Sequence, residues 1–323
     1  MRFAFTEDQL EFRDAVRDLL ANECPPGVVR AAWENADGRS GAAWAALAEM
    51  GVLGAGAPED RGGLGFTVLD LVLIAEETGY VALPEPFVEH AVVAMAVLPD
   101  DAAEAAGAGE TLVTAALGGA AYVPYVGVAG LVLTEEDDAL VLVARDALVV
   151  RPETSVDGTR RLGWIEWDEA EIVGEADDLA AAFDRGVLGT AAQLIGLTRR
   201  MLDLTVEYVK EREQFGVPIG SFQAVKHHLA DARIALEFAR PLVYRAAWSM
   251  AEGEPDAPVH VSMAKALASD AATLTARRAL QCHGAMGYSF EYDLHLYMKR
   301  AWALAASWGD PAWHRARVGR AIL

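Results

Sequence analysis

Apolar residues recur at helical spacing from Leu179 to the end of the chain, and this pattern limits the folds that the sequence can adopt. Glycine and proline interrupt the spacing at residues 216–220, 253–255 and 284–287. Because these residue types end helices, the pattern predicts long helices joined by short connections. Long helices that each carry an apolar face pack against one another, so we predict a four-helix bundle over residues 178–323.

The first interruption carries side chains suited to binding an anion. Residues 212–223 read R-E-Q-F-G-V-P-I-G-S-F-Q. Arg212 and Gln214 can donate hydrogen bonds, and Ser221 is predicted to cap the helix that follows, whose start adds free backbone N–H groups. A pyrophosphate would suit this junction, whereas an ordinary helical hairpin with a surface arginine explains the same residues. The physical pattern alone leaves both interpretations open.

The motif in residues 212–223 also resembles the flavin-contacting hairpin of the acyl-CoA dehydrogenase family. The resemblance implies FAD as the cofactor, an acyl-CoA thioester as the substrate and an electron-transfer flavoprotein as the electron acceptor. Carried over position by position, it implies flavin contacts from Arg212, Gln214, Phe215 and Gln223.

A second cluster closes the third predicted helix, where residues 281–288 read Q-C-H-G-A-M-G-Y. Glycines at a helix end commonly serve as C-caps, which is the plain structural interpretation. The motif also resembles the second flavin loop of the same family, which approaches the adenosine pyrophosphate of a neighbouring subunit. The resemblance implies cofactor contacts from Gln281, Gly284 and Ala285, whereas His283 is expected to be a hydrogen-bonded loop histidine.

The first 109 residues are expected to form a helical domain. Thr6 followed by Gln9 predicts a capping box, and an apolar helical stripe follows it. Further helices are predicted over residues 67–80 and from about residue 83 to residue 98. Residues 44–54, W-A-A-L-A-E-M-G-V-L-G, and residues 58–65, P-E-D-R-G-G-L-G, resemble the family's N-terminal helical domain.

Residues 110–177 change character and read as short β-prone runs separated by charged turns. Residues 111–134 carry no charge, but several glycines and a proline divide them, which predicts strands and turns instead of a membrane span. We therefore predict a small antiparallel β domain and an α+β fold overall. The domain is shorter than its family counterpart, and it lacks the Thr-Glu-Pro and Gly-Ser-Asp segment and the tryptophan strand that contact flavin there.

The charge balance and the two cysteines limit the classes of binding partner and the cellular compartment that we expect. The chain has 27 basic and 48 acidic side chains, so its formal net charge is −21. That balance argues against nucleic acid and against an anionic membrane surface, since both bind cationic proteins. Cys24 and Cys282 have neither disulfide-framework nor metal-site spacing, so we expect no metal and a reducing cytoplasm.

The positions that carry catalysis in the family are vacant here. Family members remove a proton next to the thioester with a glutamate, which sits beyond the fourth helix or on the first. The corresponding residues are Ser307 and Gly186, and the position of a nearby arginine is Val187. Asp310 is the remaining weak candidate for the base.

These gaps predict a division of labour between subunits. The retained clusters are those that reach across an interface in the family, so the chain resembles the short degenerate subunit of α2β2 acyl-CoA dehydrogenases from steroid-degrading actinobacteria. A full-length homologous subunit would then be its partner. A self-sufficient homo-oligomer and a non-catalytic acyl-CoA-binding protein are the alternatives.

Overall fold

The first helix begins at the predicted capping box. In the computed structural model, which describes residues 4–59 and 63–323, Thr6 Oγ1 accepts a hydrogen bond from Gln9 N and Gln9 Oε1 accepts one from Thr6 N. Residues 60–62 of the P-E-D-R-G-G-L-G segment lie outside this description. The N-terminal helices are α1 (Glu7–Glu23), α2 (Pro26–Glu34), α3 (Gly41–Glu49), α4 (Val68–Tyr80) and α5 (Asp100–Gly107).

The predicted helix from residue 83 to residue 98 is wrong in both its start and its type. Pro84 and Pro86 each disfavour the helical conformation of the residue before them, so the helical segment starts only after Pro86. A π-helical segment, Val88–Val93, is followed by a 3₁₀ turn, Ala94–Ala96. His90 in this segment is fully buried, with its ring nitrogens bonded to Ala106 O and Val113 N.

The middle region contains the predicted short strands, arranged in two sheets. The strands are β1 (Val113–Ala115), β2 (Val123–Pro124), β3 (Leu131–Glu136), β4 (Ala139–Ala144), β5 (Leu148–Glu153), β6 (Leu162–Trp167) and β7 (Glu171–Gly174). One sheet has the order β1-β3-β4-β7 and the other β2-β6-β5. All pairs are antiparallel except β1 with β3, which run parallel because the chain crosses to the second sheet between them.

The C-terminal region contains the predicted bundle helices and one more. They are α6 (Ala176–Glu211), α7 (Gln223–Ala251), α8 (Ala257–His283), α9 (Leu294–Ala306) and α10 (Pro311–Ile322). Helix α10 was not predicted from the apolar spacing. Its start is nevertheless a standard one, because Asp310 is the N-cap and Pro311 occupies the first turn.

Helix α4 of the N-terminal region packs against helix α6 of the bundle, and their backbones lie very close together. A Cβ atom at Gly196 would lie 1.9 Å from Glu76 O, and one at Gly79 would lie 2.2 Å from Gln193 O. Glycine is therefore required at both positions for the two backbones to approach. Beside this crossing, Arg199 forms ion pairs with the buried Glu76 and Glu77. In the described part of the chain, no helix is both long and apolar enough to traverse a lipid bilayer.

Candidate functional site

The predicted anion-binding hairpin lies at one end of α6. The helix ends at Glu211, and two short strands, β8 (Glu213–Gln214) and β9 (Val217–Pro218), pair across a tight turn. Phe215 and Gly216 form this turn with φ angles of 55° and 81°. Positive φ at both central residues is the geometry of a two-residue hairpin turn, and it projects the Phe215 ring outward with 94% of its surface exposed.

The polar side chains of this hairpin are free to meet a ligand. Arg212 is exposed, and among the residues described here its guanidinium has no hydrogen-bond or ion-pair partner. Gln214 is also exposed, and its amide donates to its neighbour's carbonyl, Glu213 O, at 2.8 Å. Both side chains can therefore bind an anion without breaking an internal ion pair.

The start of α7 adds backbone donors. The predicted Ser221 cap is wrong, because its hydroxyl donates to Pro218 O at 2.7 Å and the helix begins at Gln223. Phe222 is the N-cap residue and offers no side-chain acceptor. The first N–H groups of a 29-residue helix thus lack a side-chain cap, and this arrangement attracts negative charge.

The second cluster is an exposed loop at the end of α8. Gln281, Gly284 and Ala285 are all exposed. Gly284 ends the helix with φ 58°, and a Cβ atom placed there would have no other atom within 4 Å. The predicted C-cap role of Gly284 is confirmed, and its outer side is open.

His283 connects the two clusters. Its ring stacks on Tyr208, one turn before Arg212, with ring centroids 4.2 Å apart. The ends of α6 and α8, with their candidate flavin contacts, therefore lie side by side. His283 is buried and its Nδ1 forms the expected hydrogen bond, to Ala279 O, whereas its Nε2 has no partner within the described chain. Burial lowers the pKa of His283, which keeps the ring neutral.

Taken together, the residues at this end fit the diphosphate of a dinucleotide. They provide the Arg212 guanidinium, which has no partner in the part of the chain described, the amides of Gln214, Gln223 and Gln281, and a helix start without a side-chain cap. Donors of these kinds form charge-assisted hydrogen bonds to phosphate oxygens. The geometry thus supports FAD as the group that this surface could hold.

Ser307 and Gly186, which the resemblance aligns with the family's base, lie elsewhere, near a cavity between the β sheets and the turn that joins α9 to α10. Ser307 lines the cavity, and its hydroxyl accepts from Arg160 Nη1 at 2.7 Å and donates to Ala303 O at 2.8 Å. Asp310 is not among the lining residues, and its carboxylate caps α10 by accepting from Trp313 N at 2.7 Å. The geometry gives Asp310 a capping role and does not bring it to the cavity.

The Trp308 ring fills the space beside Gly186. The residue lies directly before Gly309 with φ 56°, and its buried ring covers Gly186. A Cβ atom at Gly186 would lie 2.4 Å from the Trp308 ring, so no side chain fits there without displacing the ring. Trp308 directly follows Ser307, and its ring fills the space that a side chain at Gly186 would need. One packing arrangement therefore involves both aligned positions.

Two buried groups near this turn were missed by sequence reasoning. Glu89 lines the cavity from the π-helical segment, and Lys265 bonds the carbonyl oxygens of Ala305 and Gly309 at 3.2 and 3.1 Å. Neither carries a motif, since each is brought to the turn by a distant part of the chain. Lys265 fixes the turn that presents Trp308.

We expect Gly186→Ala to lower the free energy of unfolding by about 1–2 kcal/mol, because the new methyl group collides with the Trp308 ring. In Trp308→Ala the same glycine change should cost much less, since the ring is absent. Urea denaturation of the four proteins of this double-mutant cycle measures the coupling. Equal costs in the two backgrounds would show that Trp308 does not occlude this position.

Lys265 is expected to make stability increase with pH. Burial lowers the pKa of Lys265 to about 7, with Asp310 opposing the shift. The unfolded lysine has a pKa of about 10.4, so the unfolded state binds more protons between pH 7 and 10 and the free energy of unfolding rises through that window. Lys265→Met should remove this rise, whereas the control Lys226→Met at an exposed position should keep it. Urea denaturation at several pH values tests this, and parallel curves for wild type and Lys265→Met would contradict it.

Comparison with known proteins agrees with this architecture. Residues 6–105 match the acyl-CoA dehydrogenase N-terminal domain and residues 178–323 the acyl-CoA dehydrogenase C-terminal domain. The chain is 32% identical over 302 residues to acyl-CoA dehydrogenase IpdE2 of Mycobacterium tuberculosis (strain ATCC 25618 / H37Rv), covering 91% of each protein. It is 31% identical over 316 residues to IpdE2 of Mycolicibacterium smegmatis (strain ATCC 700084 / mc(2)155), covering 95% of this chain and 96% of that protein.

Solved structures give the same result. A chain of the ChsE4-ChsE5 complex from Mycobacterium tuberculosis superimposes with a TM-score of 0.90 at 27% identity, covering 99% of this chain and 98% of that one. A chain of the Tcur3481-Tcur3483 steroid ACAD G363A variant also gives 0.90, at 25% identity and 98% coverage of both. The two domain matches together span most of the sequence, and the chain belongs to the acyl-CoA dehydrogenase family.

Proposed function

We propose that this chain is a subunit of an FAD-dependent acyl-CoA dehydrogenase in which it completes the flavin site of a homologous full-length partner and lacks a catalytic base of its own. The observation that carries the proposal is a contrast between two sites. At the dinucleotide-facing end Arg212 is exposed and has no ion-pair partner among the described residues, whereas the Trp308 ring closes the space at Gly186. We also propose that the chain divides into three domains, which comprise residues 1–109, 110–177 and 178–323.

In the assembly, Arg212 and the amides of Gln214, Gln223 and Gln281 would hold the pyrophosphate, with the start of α7 adding backbone N–H groups. Phe215 would lie against the cofactor, and Gly284 would allow close approach of the α8 end. The backbone N–H of Ala285, beside Gly284, would add a donor. Bound FAD supplies the acceptor for the hydride in α,β-dehydrogenation of an acyl thioester. The partner would supply the carboxylate that removes the α-proton.

Exposed apolar side chains on α7 and on the loop after α8 support a partner subunit. Phe238 and Ile234 lie one turn apart on α7 with 71% and 55% of their surfaces exposed, and Tyr288 and Phe290 project from the loop after α8. Exposed apolar groups of this size that cluster together commonly mark protein interfaces.

The relatives suggest the substrate and the setting. One solved relative is described as a steroid ACAD and another as a ChsE4-ChsE5 complex of two different chains. For this chain we propose a steroid-derived or other bulky acyl-CoA as the substrate, and an α2β2 assembly. Electrons would leave through an electron-transfer flavoprotein, and the assembly would work in the cytoplasm.

Producing the chain alone and with its full-length homologue tests the proposal. The chain alone should be colourless and should not reduce a dye with any acyl-CoA, whereas the co-produced assembly should be yellow and active. Glu89, the carboxylate that lines the cavity, makes a self-sufficient homo-oligomer the second candidate function. A yellow chain that reduces dye without a partner would establish that candidate and reject the proposed one.

A further inference from the structure

A small pocket lies where α1, α4, α6 and α9 meet. It has a volume of about 180 Å³, which is less than the roughly 300–1,000 Å³ of pockets that hold drug-sized molecules. None of the candidate flavin contacts lines it, and it shares no lining residue with the cavity beside Ser307. Part of its wall is apolar and consists of Leu20, Ala21, Pro25, Pro26 and Val81. The pocket therefore suits a compact ligand with an apolar part.

The charged groups that line this pocket do not cancel. Arg17 and Arg200 contribute two positive charges and Glu77 one negative charge, and burial raises the pKa of Cys24 to about 12, so its thiol adds none. Glu77 is already matched, because Arg17 Nη2 lies 2.8 Å from its Oε1 and Arg199 Nη2 lies 2.6 Å from its Oε2. No carboxylate among the described residues pairs with Arg200. One positive charge of the lining therefore lacks a counter-ion there.

Two tyrosines hold the Arg200 guanidinium in place. Its central carbon lies 5.3 Å from the ring centroid of Tyr80 and 5.4 Å from that of Tyr297, both within the range of cation–π contacts. Burial alone would lower the pKa of Arg200, but the two tyrosine hydroxyls outweigh burial and raise it. A guanidinium has five N–H donors, so two neutral oxygens leave donors for a ligand.

The chemistry of this pocket restricts the ligand. A carboxylate presents two acceptor oxygens in one plane, which match two parallel N–H groups of a guanidinium. The single unmatched positive charge favours a monoanion, since a second negative charge would be held near Glu77 without a counter-ion. A neutral hydrocarbon would cover Arg200 and remove its water without replacing the lost hydrogen bonds.

We propose that this pocket binds a small monocarboxylate, whose carboxylate pairs with Arg200 and whose compact apolar body lies against Leu20, Pro25 and Pro26. Binding involves no covalent step. The site goes beyond the proposed function, since it requires neither the flavin nor the acyl-CoA. Arg200 belongs to α6, whereas the apolar wall belongs mainly to α1 and the start of α2. A bound carboxylate would therefore strengthen the contact between the N-terminal helices and the bundle, and it should raise the unfolding temperature.

NMR titration of the full chain with benzoate tests the proposal. Benzamide and benzamidine have the same shape but are neutral and cationic, and inorganic phosphate is an anion without an apolar body. We expect benzoate to bind at least about tenfold more tightly than benzamide or phosphate, because only benzoate offers a charge-assisted pair and an apolar body together, and we expect no binding of benzamidine. No binding of benzoate, or equal or tighter binding of any comparison ligand, would overturn the proposal.

Three variants locate the bound benzoate. Arg200→Met should weaken binding at least about tenfold, whereas the matched control Arg233→Met, at an exposed position of α7, should leave it unchanged. Ala21→Phe keeps every charge and should abolish binding by filling the pocket from α1. Arg212→Ala should bind benzoate as the wild type does. Undiminished binding in Arg200→Met or in Ala21→Phe, or loss of binding in Arg212→Ala, would place the ligand elsewhere and reject the assignment.

Discussion

Replacing Arg199 with alanine is expected to lower the free energy of unfolding by about 3 kcal/mol, because it leaves two buried carboxylates short of their shared partner. Arg199 Nη1 lies 2.7 Å from Glu76 Oε1 and Nη2 lies 2.6 Å from Glu77 Oε2. Glu76 retains Tyr244 and Arg240, and Glu77 retains Arg17, which keeps the loss at the lower end of the range for a broken buried pair. Urea denaturation at pH 7 measures the change.

The loss of stability at acidic pH tests the same contacts independently. Burial alone would raise the pKa of Glu77, but Arg17 and Arg199 outweigh it and lower the pKa below its ordinary value. A carboxyl with a lowered folded pKa stabilises the fold above its unfolded pKa of about 4.3, and this contribution is lost as the pH falls through the folded pKa. Without Arg199, stability should begin to fall at a higher pH.

Arg233→Ala is the matched control, since it removes an exposed arginine that pairs with Glu237 on the surface of α7. A surface pair of this kind contributes less than about 1 kcal/mol. If Arg199→Ala costs no more than Arg233→Ala, then the junction between α4 and α6 does not depend on this ion-pair network.

Arg212→Ala is expected to weaken FAD binding to the assembly by about 10- to 150-fold. That range corresponds to about 1.5–3 kcal/mol for one hydrogen bond to a charged group. The folded chain should be unaffected, because the guanidinium is exposed and makes no contact within the described structure. Fluorescence titration of the flavin-stripped assembly with FAD measures the dissociation constant, and thermal unfolding of the chain checks its stability.

Lys210→Ala removes the same charge two residues earlier, where the ammonium group pairs with Glu207 on the surface of α6. It controls for the general loss of positive charge from a strongly acidic chain. The prediction requires FAD affinity to fall for Arg212→Ala and to stay within about twofold for Lys210→Ala. Equal losses in both variants would indicate a diffuse electrostatic effect and would remove Arg212 from the site.

The sequence predicted helix starts and helix breaks correctly where one short segment determines the structure. The Thr6–Gln9 capping box starts α1 where predicted, and the glycine breaks at residues 216–220 and 284–287 separate the long helices as expected. Helical period and turn chemistry depend on neighbours within a few residues, so a single sequence contains this information.

Features that depend on contacts between residues far apart in the sequence were not predicted. Asp310 was a weak candidate for the catalytic base from its place in the sequence, but Asp followed by Pro311 is a helix start, and its carboxylate caps α10. Glu89 reaches the cavity from a π-helical segment that no periodicity distinguishes from an α-helix. The absence of a side chain at Gly186 was visible in the sequence, but its cause, the Trp308 ring, lies 122 positions away in the chain (308 − 186) and depends on packing.

The ratio of FAD to this chain and to its partner in the native assembly tests the division of labour most directly. Flavin absorbance and quantitative amino-acid analysis of the purified assembly supply the three amounts. We predict equal amounts of the two chains and one flavin for each pair, with none held by this chain alone. An assembly that contains only this chain, with one FAD per copy and dehydrogenase activity, would contradict it.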